Sequence, residues 1–506
     1  PDHSVLAIRE RHGDPGVERS VVCLEASGTE ATLVTGRDFF GSLAVSPDGA
    51  RLAWVAWDHP NMPWDETELW TADLAPGRSA IGRADRVGAE ALRRCSVDQP
   101  VWAGDGSLLF VADAEGWWQP WRVRGSDPPE RLCDVEAEFQ GPAWALGQHT
   151  IALSATGHLG VLWRHEGTDH VGVLEDGGGL RRFDQPCVSA SSLCAHGAGF
   201  AWFGATPSSP GGVWRAREAA PGSAVEQVSG APSPLSVNDV SVAEPLTVPV
   251  GTRSVHANFY PPHLSGWHGP SSARPPLVVI AHSGPTGCSQ TGFDPVVQMF
   301  TTRGFAVAAV DYVGSTGYGR QYRQALEGRW GVADVDDSVA VARWLAESGR
   351  VDPERMAIRG SSAGGLTALG ALVRSEVFAA AVSWYGVSDL VALSESTHDF
   401  ESRYLDGLVG LLPTALTTYE ERSPRYRVAD ITGAVLLLQG EDDPVVPASQ
   451  TRTMADALRG RGLRCEAIYF DGESHGFRRF DTLVACFEAE LGFYDEVLVG
   501  VEPRRP

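Results

Sequence analysis

The chain has 506 residues, more than one hydrophobic core ordinarily supports, so two domains are expected. Hydrophobic residues make up 43% and charged residues 21%, the composition of a water-soluble globular protein, and no apolar run is long enough to cross a bilayer as a helix. A formal net charge of −23 argues against a nucleic-acid or anionic-membrane partner, because phosphate binding needs clustered Lys and Arg.

The start, Pro1-Asp2-His3-Ser4-Val5, has neither the basic nor the apolar character of a signal peptide. Eight cysteines lie at positions 23, 95, 133, 187, 194, 288, 465 and 486, with no C-x-x-C pair and no histidines at zinc-ligand spacing. The expectation is a cytoplasmic protein with free thiols, no metal and no cofactor. A disulfide between Cys187 and Cys194 is the alternative.

The first half reads as short strands and turns. Ser46-Pro47-Asp48-Gly49 and Gly104-Asp105-Gly106 each precede a strand-like run, Arg51-Leu52-Ala53-Trp54-Val55 and Leu108-Leu109-Phe110-Val111. A tryptophan after an apolar residue or proline recurs at Leu69-Trp70, Pro120-Trp121, Leu162-Trp163 and Val213-Trp214. This spacing, roughly 40–50 residues, is that of a β-propeller blade, and an earlier apolar run at Val22 extends the count to about five. The competing reading is an all-β sandwich whose core happens to hold tryptophans.

The rhythm changes near residue 240. Ser241-Val242 and Ala257-Asn258-Phe259-Tyr260 read as strands, followed by a Gly/Ser/Pro-rich loop to Pro276. Strands then alternate with helices: Leu277–Ile280, Phe305–Val310, a helix from about Asp334 to Ser348, Met356–Ile358, Val435–Leu438 and Ala467–Phe470. Such alternation implies a mostly parallel, doubly wound sheet with its ligand at the carboxyl ends of the strands.

Two stretches fit G-x-S-x-G: Gly360-Ser361-Ser362-Ala363-Gly364 and Gly472-Glu473-Ser474-His475-Gly476. With 57 glycines, chance matches are expected, so context decides. A nucleophile elbow needs a strand, a tight turn and a helix with small residues at the close approach. Ala363-Gly364-Gly365 supplies them, whereas Phe477-Arg478-Arg479-Phe480 behind Ser474 is bulky. The chain order Ser, Asp, His of this fold also requires the serine to lie well upstream of the last histidine, His475. Ser362 is therefore the candidate nucleophile and His475 the base, while His398 sits in a polar segment. For the acid, the loop Gly440-Glu441-Asp442-Asp443 leaves Asp442 and Asp443 equal. One oxyanion-hole N–H is expected from Ala363 and the second from the loop Ala281–Gly287.

Together these motifs resemble the prolyl oligopeptidase family of serine peptidases, in particular its acylaminoacyl-peptidase and dipeptidyl-aminopeptidase-like branch. The resemblance rests on Asp311-Tyr312-Val313-Gly314-Ser315-Thr316-Gly317-Tyr318-Gly319-Arg320 and on Gly328-Arg329-Trp330-Gly331 with Asp334 and Asp337. It extends through Gly360–Gly365, Glu421-Arg422-Ser423-Pro424 and Gln439–Asp443 with Val446-Pro447, to Ser474-His475-Gly476-Phe477. The family's spacing selects Asp443 as the acid, and its His-Gly-Gly-Pro loop, here His282-Ser283-Gly284-Pro285, places the second oxyanion donor at Gly284.

The resemblance implies an α/β-hydrolase catalytic domain at 241–506 behind an N-terminal propeller at 1–240 that limits access. It implies a serine peptidase or amidase acting on short peptides or aminoacyl amides through an acyl-enzyme. The alternative is an acyltransferase or esterase for a specialised metabolite using the same three residues. A non-catalytic binding protein fits poorly with an intact Ser-Asp-His set. Glu136, Glu138 and Trp117 are the candidates for substrate binding. The usual Arg after the tyrosine is Val313 here, and seven blades are usual where about five are visible. The latter leads to the expectation that a missing N-terminal segment, another polypeptide or a second copy completes the array.

Overall fold

A computed structural model describes residues 4–13, 16–270 and 272–500, so Pro1–His3 of the sequence start lie outside the described residues. The chain divides into two compact units, Pro1–Pro232 with Gly317–Gln321, and Ser233–Thr316 with Tyr322–Pro506. The division differs from 240/241 for a local reason. Residues after Ser233 already bind into the second unit: the Asn238 carbonyl accepts from His263 Nε2 at 2.8 Å, and the Ser265 amide donates to Asp239 at 3.0 Å.

The first unit is a series of five antiparallel sheets. The first has three strands, Val5–His12, Val17–Leu24 and Glu30–Val34. The other four have four strands each and span Phe39–Arg86, Val97–Arg131, Ile151–Arg182 and Ser189–Gly230. Each four-stranded sheet is stapled by one cross-strand pair between its second and third strands: Trp54–Trp70, Phe110–Trp121, Trp163–His170 and Trp202–Trp214. The tryptophan repeat thus changes strand once. Trp163 lies on the second strand of its sheet, and His170 occupies the third-strand position held elsewhere by tryptophan. Burial pushes the His170 imidazole pKa down to about 4, so the ring is a neutral packing partner, 5.5 Å from the Trp163 ring. All eight cysteines are free; Cys187 is buried in the core of the fifth sheet, and Cys194 faces outward.

The second unit is one eight-stranded sheet flanked by helices. Its strands are β1 (Glu244–Val250), β2 (Arg253–Tyr260), β3 (Leu277–Ala281), β4 (Ala306–Asp311), β5 (Met356–Ser361), β6 (Ala380–Trp384), β7 (Ala434–Gly440) and β8 (Cys465–Phe470). The order is β1-β2-β4-β3-β5-β6-β7-β8, antiparallel at β1/β2 and β2/β4 and parallel elsewhere. The central strands are continuously apolar, as burial on both faces demands: Leu277, Val278 and Val279, like Ala357 and Ile358, have no exposed surface.

Ser241-Val242 is a linker and not a strand. The true first strand follows it and contains Pro245 and Pro249, which the sheet tolerates because β1 is an edge. Helix α1 (Ala333–Glu347) packs on β1–β4 and against α2 (Ala363–Arg374), which lies along β5 and β6, and α3 (Phe480–Tyr494) lies across β5 and β6. There Glu490, fully buried, accepts a bond from Arg359 at 2.7 Å, one from Trp384 Nε1 at 2.9 Å and one from the Tyr494 hydroxyl at 3.0 Å. A buried carboxylate is tolerated only when so fully bonded.

Candidate active site

Strand β5 ends in a sharp turn into α2, with Ser362 at the apex in a positive-φ conformation (φ 53°, ψ −119°). Such backbone costs an L-residue of the order of 1–3 kcal/mol and is held by its surroundings. The surroundings are glycine. A Cβ on Gly360 would lie 2.1 Å from the Gly364 carbonyl oxygen, and one on Gly364 would lie 2.3 Å from the Ala281 carbonyl oxygen. The Ser362 amide donates to the Trp384 carbonyl at 3.0 Å, and its own carbonyl accepts from Gly365 N–H at 2.9 Å.

The candidate base and acid come from the loops after β8 and β7. Ser362 Oγ lies 2.9 Å from His475 Nε2, and His475 Nδ1 lies 2.8 Å from Asp443 Oδ2. The Asp443 carboxylate is wholly buried, while the imidazole retains 21% exposure. Of the two candidate acids, Asp442 faces solvent. Asp443 folds back on its own turn, where Oδ1 accepts the Val445 and Val446 amides, each at 2.9 Å. Gln439, also buried, adds a longer bond to Oδ2 at 3.3 Å.

The two loops are joined by backbone. Glu441 N–H donates to the Phe470 carbonyl and Asp442 N–H to the Glu473 carbonyl, both at 3.0 Å. A Cβ on Gly440 would lie 2.4 Å from the Glu473 carbonyl oxygen, so only glycine permits that approach. Glu473 fixes the other side of the histidine loop by accepting the Arg478 and Arg479 amides at 2.9 and 3.0 Å.

The loop carrying Gly284 is held at several points. His282 Nε2 lies 2.6 Å from Ser315 Oγ, and its ring stacks on Tyr312 at 4.2 Å. The Tyr312 hydroxyl donates to the His282 carbonyl at 3.1 Å. Thr286 Oγ1 lies 2.6 Å from the Tyr404 hydroxyl, and the Gly287 carbonyl accepts from Thr316 N–H at 2.8 Å. Gly284 has φ 131°, where a Cβ would lie 2.6 Å from the Thr286 nitrogen. Ala363 follows Ser362 as the first residue of α2.

Residues quoted for the family resemblance brace this assembly. Asp334 accepts the Gly331 amide at 2.7 Å and the hydroxyl of Thr367, on α2, at 2.6 Å. Arg422 donates to the carbonyls of Trp330 and Gly328 at 3.0 and 2.8 Å. Asp337 accepts the Val313 amide at 2.9 Å and is paired with Arg253 of β2.

The remaining candidates lie in the first unit. Glu138 is buried, 2% exposed, and each carboxylate oxygen accepts a backbone amide: Trp118 at 2.9 Å and Gly319 at 3.1 Å. Its segment pairs with Arg164 as an isolated bridge, which draws the side chain inward. Glu136 is exposed, and its carbonyl accepts from His165 Nδ1 at 3.0 Å. Trp117 is half-buried beside Gly319. Among the described residues no group of three or more His, Cys, Asp or Glu could hold a metal ion, and no helix is long and apolar enough to cross a membrane.

Sequence reasoning missed Tyr385. It follows β6 with φ 38°, and its ring meets His475 edge-on at 5.0 Å and Phe477 at 5.0 Å. Its place at the carboxyl end of a central strand, before Gly386, is the signal that could have found it.

The sequence profile of the prolyl oligopeptidase family matches residues 291–500. Dipeptidyl aminopeptidase BIII of Pseudoxanthomonas mexicana is 29% identical over 238 residues, 46% of this chain and 34% of that protein. The acylamino-acid-releasing enzyme of Arabidopsis thaliana is 28% identical over 221 residues, 41% of this chain and 28% of that protein. The matched stretch therefore spans about a third of these curated relatives' length. A puromycin-hydrolyzing peptidase of Mycobacterium tuberculosis has a solved structure that superimposes with a TM-score of 0.93 at 38% identity, covering 99% of this chain and 78% of that one. A crystal structure of a puromycin hydrolase gives 0.93 at 36% identity, again over 99% of this chain and 78% of the other. On the matched profile and on identity sustained over nearly the whole chain, this protein belongs to the prolyl oligopeptidase family.

Proposed function

We propose that the protein is a serine peptidase or amidase that cleaves short peptides or aminoacyl amides, with Ser362 as nucleophile, His475 as base and Asp443 as its orienting acid. The observation that carries this reading is the line of hydrogen bonds from Ser362 Oγ through the imidazole to a buried carboxylate. Ser362 Oγ bonds to the substrate carbonyl carbon as His475 Nε2 takes its proton. The carbonyl oxygen becomes an oxyanion facing the amides of Ala363 and Gly284. Collapse expels the amine, which leaves with the proton from His475, and an ester to Ser362 remains. Water then repeats the sequence and frees the acid.

Support for an aminoacyl amide comes from the relatives' names, puromycin hydrolase and dipeptidyl aminopeptidase. Puromycin carries both an amide bond and a free α-amino group. In this proposal the five sheets of the first unit form a propeller-type array that restricts substrate size, and Glu136 and Glu138, with Trp117, recognise the free amine.

The test is fluorophosphonate labelling with peptide mapping, combined with turnover of puromycin and of aminoacyl and dipeptidyl anilides. Labelling at Ser362 and hydrolysis of free-amine substrates are expected. Turnover confined to N-blocked amides or simple esters would remove the amine-recognition proposal. Transfer products formed with an added amine would favour the acyltransferase alternative.

A further inference from the structure

The pairing of β3 with β5 ends at Ala281 and Gly360. The next carbonyl on β5, that of Ser361, belongs to the peptide group immediately before the nucleophile. At that point the neighbouring chain has already turned away into the loop of Gly284, so no ladder amide from β3 can meet this carbonyl. A side chain takes the amide's place: the Ser283 hydroxyl donates to the Ser361 carbonyl oxygen at 2.9 Å. The same Ser283 oxygen lies 2.8 Å from Ser361 Oγ. With the Ser283 proton given to the Ser361 carbonyl, Ser361 Oγ is the donor in this second bond.

Position 283 is where the family's oxyanion loop usually has glycine, which could make none of these bonds. We propose that Ser283 is a positioning residue: through its two bonds to Ser361 it ties the oxyanion loop to the nucleophile turn, setting where Gly284 N–H stands relative to Ser362 Oγ. The oxyanion is present only after attack, so the contribution belongs to the transition state and not to substrate binding. Ser283 is exposed, so water competes for these bonds until substrate covers them. The effect is therefore that of one hydrogen bond, not of a catalytic group.

This inference rests on the functional reading above, and its test uses a readout that needs no natural substrate. The rate of fluorophosphonate labelling, itself a reaction through an oxyanion, is measured for the full chain and for Ser283→Gly, Ser283→Ala and Ser283→Thr, with kcat and KM for an aminoacyl anilide and the melting temperature. Gly and Ala variants are expected to label about 5- to 10-fold more slowly, the worth of one hydrogen bond, with kcat lowered in parallel and KM within about twofold. Ser283→Thr, which keeps the hydroxyl, should restore most of the rate. Equal labelling of Ser283→Gly and the unaltered chain would overturn the inference while leaving the nucleophile assignment intact. So would a loss in KM and melting temperature together without a kcat effect. An unaltered chain that does not label at Ser362 would overturn the functional reading itself.

Discussion

The chain writes G-x-S-x-G twice, and the two copies fold into different objects. At Gly360–Gly364 every glycine is pressed against backbone: its missing Cβ is the space through which strand and helix pass each other. At Gly472–Gly476 the outer glycines have open surroundings, a Cβ on Gly472 coming no nearer than 3.6 Å to an arginine side chain and one on Gly476 meeting nothing within 4 Å. Those two glycines serve left-handed backbone (φ 73° and 89°), the commoner use of glycine in a loop. Ser474 faces solvent, while its neighbour His475 points at Ser362. The motif is thus a steric requirement in one place and a coincidence of loop composition in the other.

Substitutions should separate the two copies. Ser362→Ala is expected to lower kcat by roughly 10⁶-fold, whereas Ser474→Ala should stay within about twofold, measured on any substrate the protein turns over. Comparable losses would mean that the two serines have been assigned the wrong way round. Gly364→Ala drives a methyl group into the Ala281 carbonyl and should cost about 3 kcal/mol or more, against about 1 kcal/mol for Gly476→Ala, as read by urea unfolding. Equal costs would show that the first turn can relax in a way its contacts do not suggest.

The third difference is the support behind the turn. Burial is the largest influence on Asp334, outweighing its bonds to Thr367 and to the backbone, and raises its pKa to about 6 from the ordinary 3.8. A carboxyl group whose pKa rises on folding favours the folded state below pH 4, where it is protonated in both states. Stability is then lost as pH rises from about 4 through 6. Asp334→Asn should flatten this slope, worth up to about 3 kcal/mol at 1.36 kcal/mol per unit, in unfolding measured between pH 4 and 7. An unchanged slope would assign it to other groups.

What was legible in the sequence follows from how local each cause is. The sharp turn at Ser362 could be read because its steric demand is met by neighbours within a few residues. The histidine followed from chain order. Asp443 could not be separated from Asp442 by residue type, since the deciding bonds are to the amides of Val445 and Val446, which any residues would supply. Family spacing made that choice. The tryptophan repeat counted the sheets correctly but treated Trp163 as equivalent to Trp121, because a swap between paired strands leaves the spacing nearly intact. Strand β1 was hidden by its prolines. The burial of Glu138 was not legible, because nothing in its own segment announces the Arg164 bridge that turns it inward. Ser283 and Tyr385 were out of reach because their partners lie 78 residues away in one case and on the last catalytic loop in the other.

The Arg253–Asp337 pair bears on how this chain can change. Asp337 is fully buried and already engaged by one guanidinium and by the Val313 amide, and the Val313 side chain is sealed in the interior. Removing Arg253 alone would leave a buried anion without its cation, and removing Asp337 alone would leave the guanidinium without its acceptor. The two positions therefore constrain each other, and a lineage could dispense with the pair only by altering both.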